Sequence, residues 1–212
     1  GTGLGNGTFT GQSYTIDKTA PTGTLVINGG AAATNSRNVT LTLSATDALS
    51  GVTQMRFSNT GTSFSAAEAY APTKAWTLTT GAGTKTVYVQ FKDAVGNWST
   101  AAITDTIVLD TTAPTITART ATNITNSSAT ITWTTSEAAT SQVNFGLTKS
   151  YGSTTTLNPI LLLSHSVTLT GLAPNTTYNY RVRSLDAAGN EGVSANSTFV
   201  TAVGADTVAP TV

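Results

Sequence analysis

Residues 109–115 read LDTTAPT, and nearly the same phrase stands at 16–22 (IDKTAPT) and at 205–211 (ADTVAPT). In each copy an Asp stands four residues ahead of a Pro: Asp17 and Pro21, Asp110 and Pro114, Asp206 and Pro210. Asp17 and Asp110 are 93 residues apart, and Asp110 and Asp206 are 96 apart. That interval is the length of a small all-β sandwich, not of a helical or leucine-rich repeat. The phrase therefore reads as a joint between domains.

Composition agrees with a chain built from such units. There is no cysteine, so neither a disulfide nor a thiolate metal site can hold the fold, and stability must come from packing. Charged residues make up 9% of the chain, against about 25% in a typical domain, and ten basic residues balance ten acidic ones. Such a chain has neither the basic face that binds nucleic acid nor the polybasic patch that binds an anionic membrane. Surface polarity comes instead from Thr, Ser, Asn and Gln, as in TNITNSSATITWTT (122–135) and YGSTTT (151–156). A neutral, hydroxyl-rich surface of this kind points to an extracellular or cell-surface location. The longest apolar run, 160–163, is far short of the roughly 20 residues a helix needs to cross a bilayer.

Between the joints the pattern has period two. Val39, Leu41 and Leu43 share one parity, with Thr40 and Thr42 on the other; Val87, Val89 and Phe91 alternate with Thr86, Tyr88 and Gln90. Further strands are expected at 24–27, 52–58, 76–79 and 103–109, separated by NGG, DALSG, GAG and DAVGN. After Asp110, Ile131 with Trp133, Val143 with Phe145, Val167 with Leu169, and Tyr178 with Tyr180 and Val182 repeat the plan. Trp76 and Trp133 are expected in the core. The fold expected is a tandem of immunoglobulin-like antiparallel sandwiches spanning 17–109 and 110–205. Residues 1–16 read as the last strand of a preceding or partner domain, because GLGNGTFT matches AVGNWSTA, and 206–212 as the joint to a following one.

Two segments carry a family resemblance. ATITWTTSEAATSQVNFG (129–146) and HSVTLTGLAPNTTYNYRVRSLDAAGNEG (165–192) resemble a fibronectin type III domain in Trp133, in Leu172 with Pro174, and in the Tyr178 that follows. The resemblance implies that Tyr178 forms a corner hydrogen bond and has a structural role. The first unit, with SATDALSGV and FKDAVGNWS, resembles the immunoglobulin-like repeats of large bacterial surface proteins.

No catalytic residue is expected. The only histidine, His165, lies in SHSVTLT with no triad around it, and it reads as an exposed or edge-strand residue. The acids lie mostly in turns. In an immunoglobulin-like sandwich the BC loop, the FG loop and the start of strand A share one pole, which would bring Asp17, Asp47 and Asp93 together. Asp110, Glu137 and Asp186 would meet in the same way in the second unit. Three carboxylates with loop carbonyls suit Ca²⁺, which takes six to eight oxygens in flexible geometry. The competing reading is plain turn chemistry, since an Asp side chain bonds to amides two residues on and an Asp ahead of Pro can fix an extended linker. No cofactor is required on this reading, and Ca²⁺ at the joints is the additional one.

Trp98, just after DAVGN where the second unit has Glu191, is a candidate platform for stacking a surface glycan. The leading functional expectation is a non-catalytic spacer segment of a long extracellular multidomain protein, whose partners are neighbouring domains. The alternatives are a filament subunit that adds strand 1–16 to another copy of itself, and a carbohydrate-binding module of a secreted hydrolase acting in adhesion to glycans.

Overall fold

The computed structural model describes residues 16–204, so the joint at 206–212 and nearly all of the expected strand 1–16 lie outside the described residues. The chain is all-β. Contacts divide the described residues into two compact units, one comprising 16–29, 40–75 and 86–105, the other 30–39, 76–85 and 106–204.

Three strands, β1 (Thr22–Ile27), β3 (Asn38–Thr46) and β6 (Thr73–Thr77), form one sheet in the order β1-β3-β6. A second sheet has the order β2-β8-β7-β4-β5, built from β2 (Ala33–Thr34), β4 (Val52–Ser58), β5 (Glu68–Ala69), β7 (Gly83–Asp93) and β8 (Ile103–Leu109). β1 with β3, β4 with β5 and β4 with β7 pair antiparallel, and Ala33 and Thr34 make a short parallel match with Val108 and Leu109. The expected alternation holds: Leu41 and Leu43 on β3 and Val87, Val89 and Phe91 on β7 are buried, while their threonine and glutamine neighbours are not. In the first unit these side chains pack a core with Leu25, Ile27, Met55 and Phe57. Trp76 is half-buried, and Leu78 two residues on takes the fully buried position.

The remaining strands are β9 (Ile116–Thr122), β10 (Ser128–Gly146), β11 (Ser153–Thr154), β12 (Asn158–Thr170), β13 (Thr177–Leu185), β14 (Glu191–Val193) and β15 (Ser197–Val200). The 19-residue β10 organises them. Its first half pairs with β9 and β12, and its second half with β11 and β13. Register shifts between Thr134 and Ser141 bend it from one sheet to the other. Glu137, expected in a BC loop, therefore sits on a continuous, irregular strand. Small side chains at Ala138 and Ala139 and the Ser and Thr around them let the backbone make this crossing without breaking into a turn.

Ala129, Ile131, Trp133, Val143, Leu169, Leu172, Tyr180, Val182 and Phe199 form the core between these sheets. The Trp133 indole N–H, which would be costly to bury unpaired, donates to Ser184 Oγ at 3.0 Å. The Tyr178 hydroxyl accepts from the Ala173 amide at 3.0 Å, the corner bond that the resemblance implied.

His165 lies on β12, which pairs with β10 at the edge of the sheet as expected, but it is not exposed: it is buried, stacked on Trp133 with ring centroids 4.9 Å apart. Thr135 Oγ1 donates to the Glu137 carbonyl at 2.6 Å, so it accepts from His165 Nε2 at 2.9 Å, which leaves Nδ1 to accept from Ser141 Oγ at 2.7 Å. The ring is neutral and fully satisfied. Burial holds its pKa below the ordinary histidine value.

Candidate metal centre

Each of the two expected acidic groups is assembled. Asp17, Asp47 and Asp93 each offer a carboxylate oxygen within 4.8 Å of the others, and so do Asp110, Glu137 and Asp186. In both trios the FG-turn aspartate is buried and the other two acids are half-buried.

The turn sequences dictate the geometry. In DAVGN, Asp93 Oδ1 accepts from the amides of Val95, Gly96 and Asn97 at 3.0, 2.6 and 2.8 Å, closing the loop on its own side chain. Gly96, at φ +112°, supplies a backbone conformation other residues rarely adopt. Burial pushes the Asp93 carboxyl up, but bonds from the Asn97 side chain and amide and from the Gly96 and Val95 amides outweigh it, and the pKa lies below the usual value. In DALSG, Asp47 Oδ1 accepts from the amides of Leu49, Ser50 and Gly51. The Ser50 amide bond, with those of Leu49 and Gly51, holds its pKa down against the effect of burial. The other oxygen, Asp47 Oδ2, is buried and has no hydrogen-bond partner.

Asn97 is the residue that sequence reasoning passed over. Its Nδ2 donates to Asp93 Oδ2 at 2.6 Å and to the carbonyls of Asp17 and Thr19, both at 3.3 Å, so the FG turn grips the incoming linker. Ser50 Oγ adds a bond to Asp17 Oδ2 at 2.6 Å. Two residues beyond Asn97, Ser99 Oγ donates to the Pro21 carbonyl at 3.1 Å.

The second trio copies this plan. Asp186 Oδ1 accepts from the amides of Ala188 and Asn190, and Asn190 Nδ2 donates to Asp186 Oδ2 at 2.8 Å and to the Asp110 carbonyl at 3.0 Å. Asn97 to Asp17 and Asn190 to Asp110 both span 80 residues. The signal for these asparagines was present in the sequence as DAVGN and DAAGN. Two residues beyond Asn190 stands Gly192, where a Cβ would lie 2.1 Å from the Pro114 carbonyl oxygen, so the linker backbone packs directly against the strand. Glu137 differs from Asp47: its pKa is raised, first by burial and then by the charges of Asp110 and Asp186.

The first trio gathers three carboxylate oxygens, fewer than the six to eight that Ca²⁺ takes, and the buried Asp47 Oδ2 is the one with no hydrogen-bond donor to satisfy it. The second trio gathers the same number of carboxylates, and its buried Asp186, like Asp93, already accepts from the amides of its own turn.

Trp98 lies in the first unit as part of a cation ladder. The Arg56 guanidinium lies 4.3 Å from its ring centroid and 5.0 Å from that of Phe64, and Lys92 Nζ lies 5.7 Å from the Trp98 ring. Gln90 Oε1 fixes Arg56 through Nε and Nη2 at 2.9 and 2.7 Å. The ring face under Arg56 is closed to a sugar.

Comparison with known proteins supports the fold. The family profile described as the N-terminal domain of purple acid phosphatase matches residues 114–201. The solved fibronectin domains FN1–FN3 of chicken CNTN1 superpose with a TM-score of 0.52 at 15% identity, over 87% of this chain and 67% of that one. The fibronectin(III)-like modules of Clostridium thermocellum CbhA give 0.50 at 16% identity, over 84% and 93%. No curated protein sequence matches this chain. The chain thus has the fold of fibronectin type III β-sandwich domains, which are generally non-catalytic. No helix among the described residues is long and apolar enough to cross a membrane.

Proposed function

We propose that the chain is a non-catalytic spacer segment of a long extracellular or cell-surface protein, in which each sandwich is locked to the linker that leads into it. Domains of this fold commonly serve as structural spacers in multidomain proteins. The observation that carries the reading is the twofold use of one lock, in which Asn97 and Asn190 each tie an FG turn to a linker carbonyl 80 residues back. A linker bonded to the sheet end transmits tension into the strands instead of peeling away. Pulling on the chain ends by force spectroscopy tests this: the double variant Asn97→Ala, Asn190→Ala should extend at clearly lower force. Traces indistinguishable from the unaltered chain would sink the spacer reading.

Ca²⁺ belongs to the same proposal as a reinforcement of the first lock. Calcium at about ten times its dissociation constant stabilises a folded domain by about 1.4 kcal/mol. Thermal melting in calcium and in chelator should therefore differ, and Asp47→Asn should remove most of the difference. Coincident melting curves for the unaltered chain would leave the lock without its ion.

A further inference from the structure

The first half of β12 stands apart from everything around it. Its Ile160, Leu161, Leu162 and Leu163 are 61, 40, 42 and 57% exposed, and Leu157 just before the strand 41%. Successive residues on a strand point to opposite faces, so exposure at both parities means that this segment is covered on neither side. Among the described residues β12 pairs only with β10, and in the stretch where β10 crosses between sheets that pairing survives only as Ala139 with Leu162 and Ser141 with Asn158. The result is an edge strand that carries exposed apolar side chains on both of its faces, a kind of exposed surface that often marks an interaction site.

Sheet edges are normally protected by charge, and this one is not. Residues 150–180 contain no Asp, Glu, Lys or Arg, and the whole chain is balanced at ten acidic and ten basic residues. The occupant must therefore be as uncharged as the edge itself. An acidic or basic peptide would find no counter-charge there, whereas a second copy of the same edge offers a strand of matching length, matching apolar side chains and no repulsion. Pro159 lacks an amide hydrogen and limits pairing to the residues that follow it. One such edge per chain closes on itself about a two-fold axis and stops at two copies.

We propose that residues 160–163 of β12 pair antiparallel with the same residues of a second chain, joining the two spacers side by side. The proposal uses none of the linker-lock bonds, although Glu137 of the second trio lies on the part of β10 that faces Leu162. Pairing over residues 160–163 alone covers less than the roughly 800 Å² per partner of a standard interface, so association should be weak. Sedimentation of the full chain from about 10 µM to about 1 mM, a range suited to small interfaces, should show the apparent mass rising from one copy toward two. Leu161→Lys and Leu163→Lys, both at exposed positions, should remain monomeric across the range with an unchanged melting temperature. Because the chain has no cysteine, an equal mixture of Leu161→Cys and Leu162→Cys chains should cross-link on mild oxidation, since this register sets 161 opposite 162 of the twin on one face, while Leu161→Cys mixed with Thr100→Cys, a control at an exposed position, should not. A strictly monomeric unaltered chain, lysine variants that associate as before, or equal cross-linking in the two mixtures would each overturn the proposal.

Discussion

The two acidic trios have the same plan and opposite electrostatics. In the first, Asp47 lies in a short DALSG turn whose amides hold its carboxylate charged. In the second, the matching acid is Glu137 on the bent part of β10, and burial together with the Asp110 and Asp186 charges favours its protonated form. A turn brings amides to an acid, whereas a strand in mid-crossing spends its amides elsewhere. The position of an acid thus matters less than the backbone that carries it.

The linker contact separates the two locks most sharply. Gly192→Ala would drive a Cβ into the Pro114 carbonyl, which backbone cannot easily avoid, and overpacking of this kind costs about 1–3 kcal/mol. Ser99→Ala, at the corresponding place in the first lock, removes a buried hydroxyl that bonds the Pro21 and Phe91 carbonyls and accepts from the Phe91 amide, and should cost about 1–2 kcal/mol in urea unfolding. Equal losses would mean that the two linkers are held in the same way after all.

Asn97→Ala and Asn190→Ala probe what the locks share. Asn190→Ala breaks one bond to a linker carbonyl and one to the turn aspartate, Asn97→Ala two long linker bonds and one to the aspartate, and each should cost about 1–2 kcal/mol by chemical denaturation. A loss at one site only would break the equivalence.

Acid should act on the second sandwich through His165. Its folded pKa is depressed by burial, so the unfolded chain binds the proton more readily. The stabilisation is complete above the unfolded value of about 6.5 and is lost as pH falls below it toward the folded value. The melting temperature should decline through that window, and His165→Gln, while less stable at neutral pH, should flatten the decline.

Glu137 gives the smallest effect, with the reverse sign. Its folded pKa is raised, so its relative contribution is best below the unfolded carboxylate value and is lost as pH rises through the folded one. Glu137→Gln should raise the neutral-pH melting temperature slightly and leave that below about pH 4 unchanged. A drop at neutral pH would show that the carboxylate is used, as a bound cation would use it.

Most strands were legible because alternation is a local property. The expected 52–58 and 103–109 coincide with β4 and β8, and Trp133, Leu169 and Tyr180 are buried on the expected faces. The convergence of each trio was legible too, since sandwich topology places the FG turn beside the incoming linker. The unbroken β10 was not, because TTSEAATS has the polarity of a loop and becomes strand only where both sheets bond to it. His165 was misjudged for the same reason. Its Ser and Thr partners lie on β10 and come into reach only across the sheet.

What the sequence determined by itself is the class of fold, the repeat interval and the turns in which Asp93 and Asp186 cap their own backbones, since these depend on neighbours within a few residues. Only the tertiary structure decided which linker carbonyl each asparagine reaches, that Gly192 must have no side chain, and that the leucines of β12 stay uncovered. Those depend on strands brought together from distant parts of the chain, where a difference of one residue in register decides between contact and solvent.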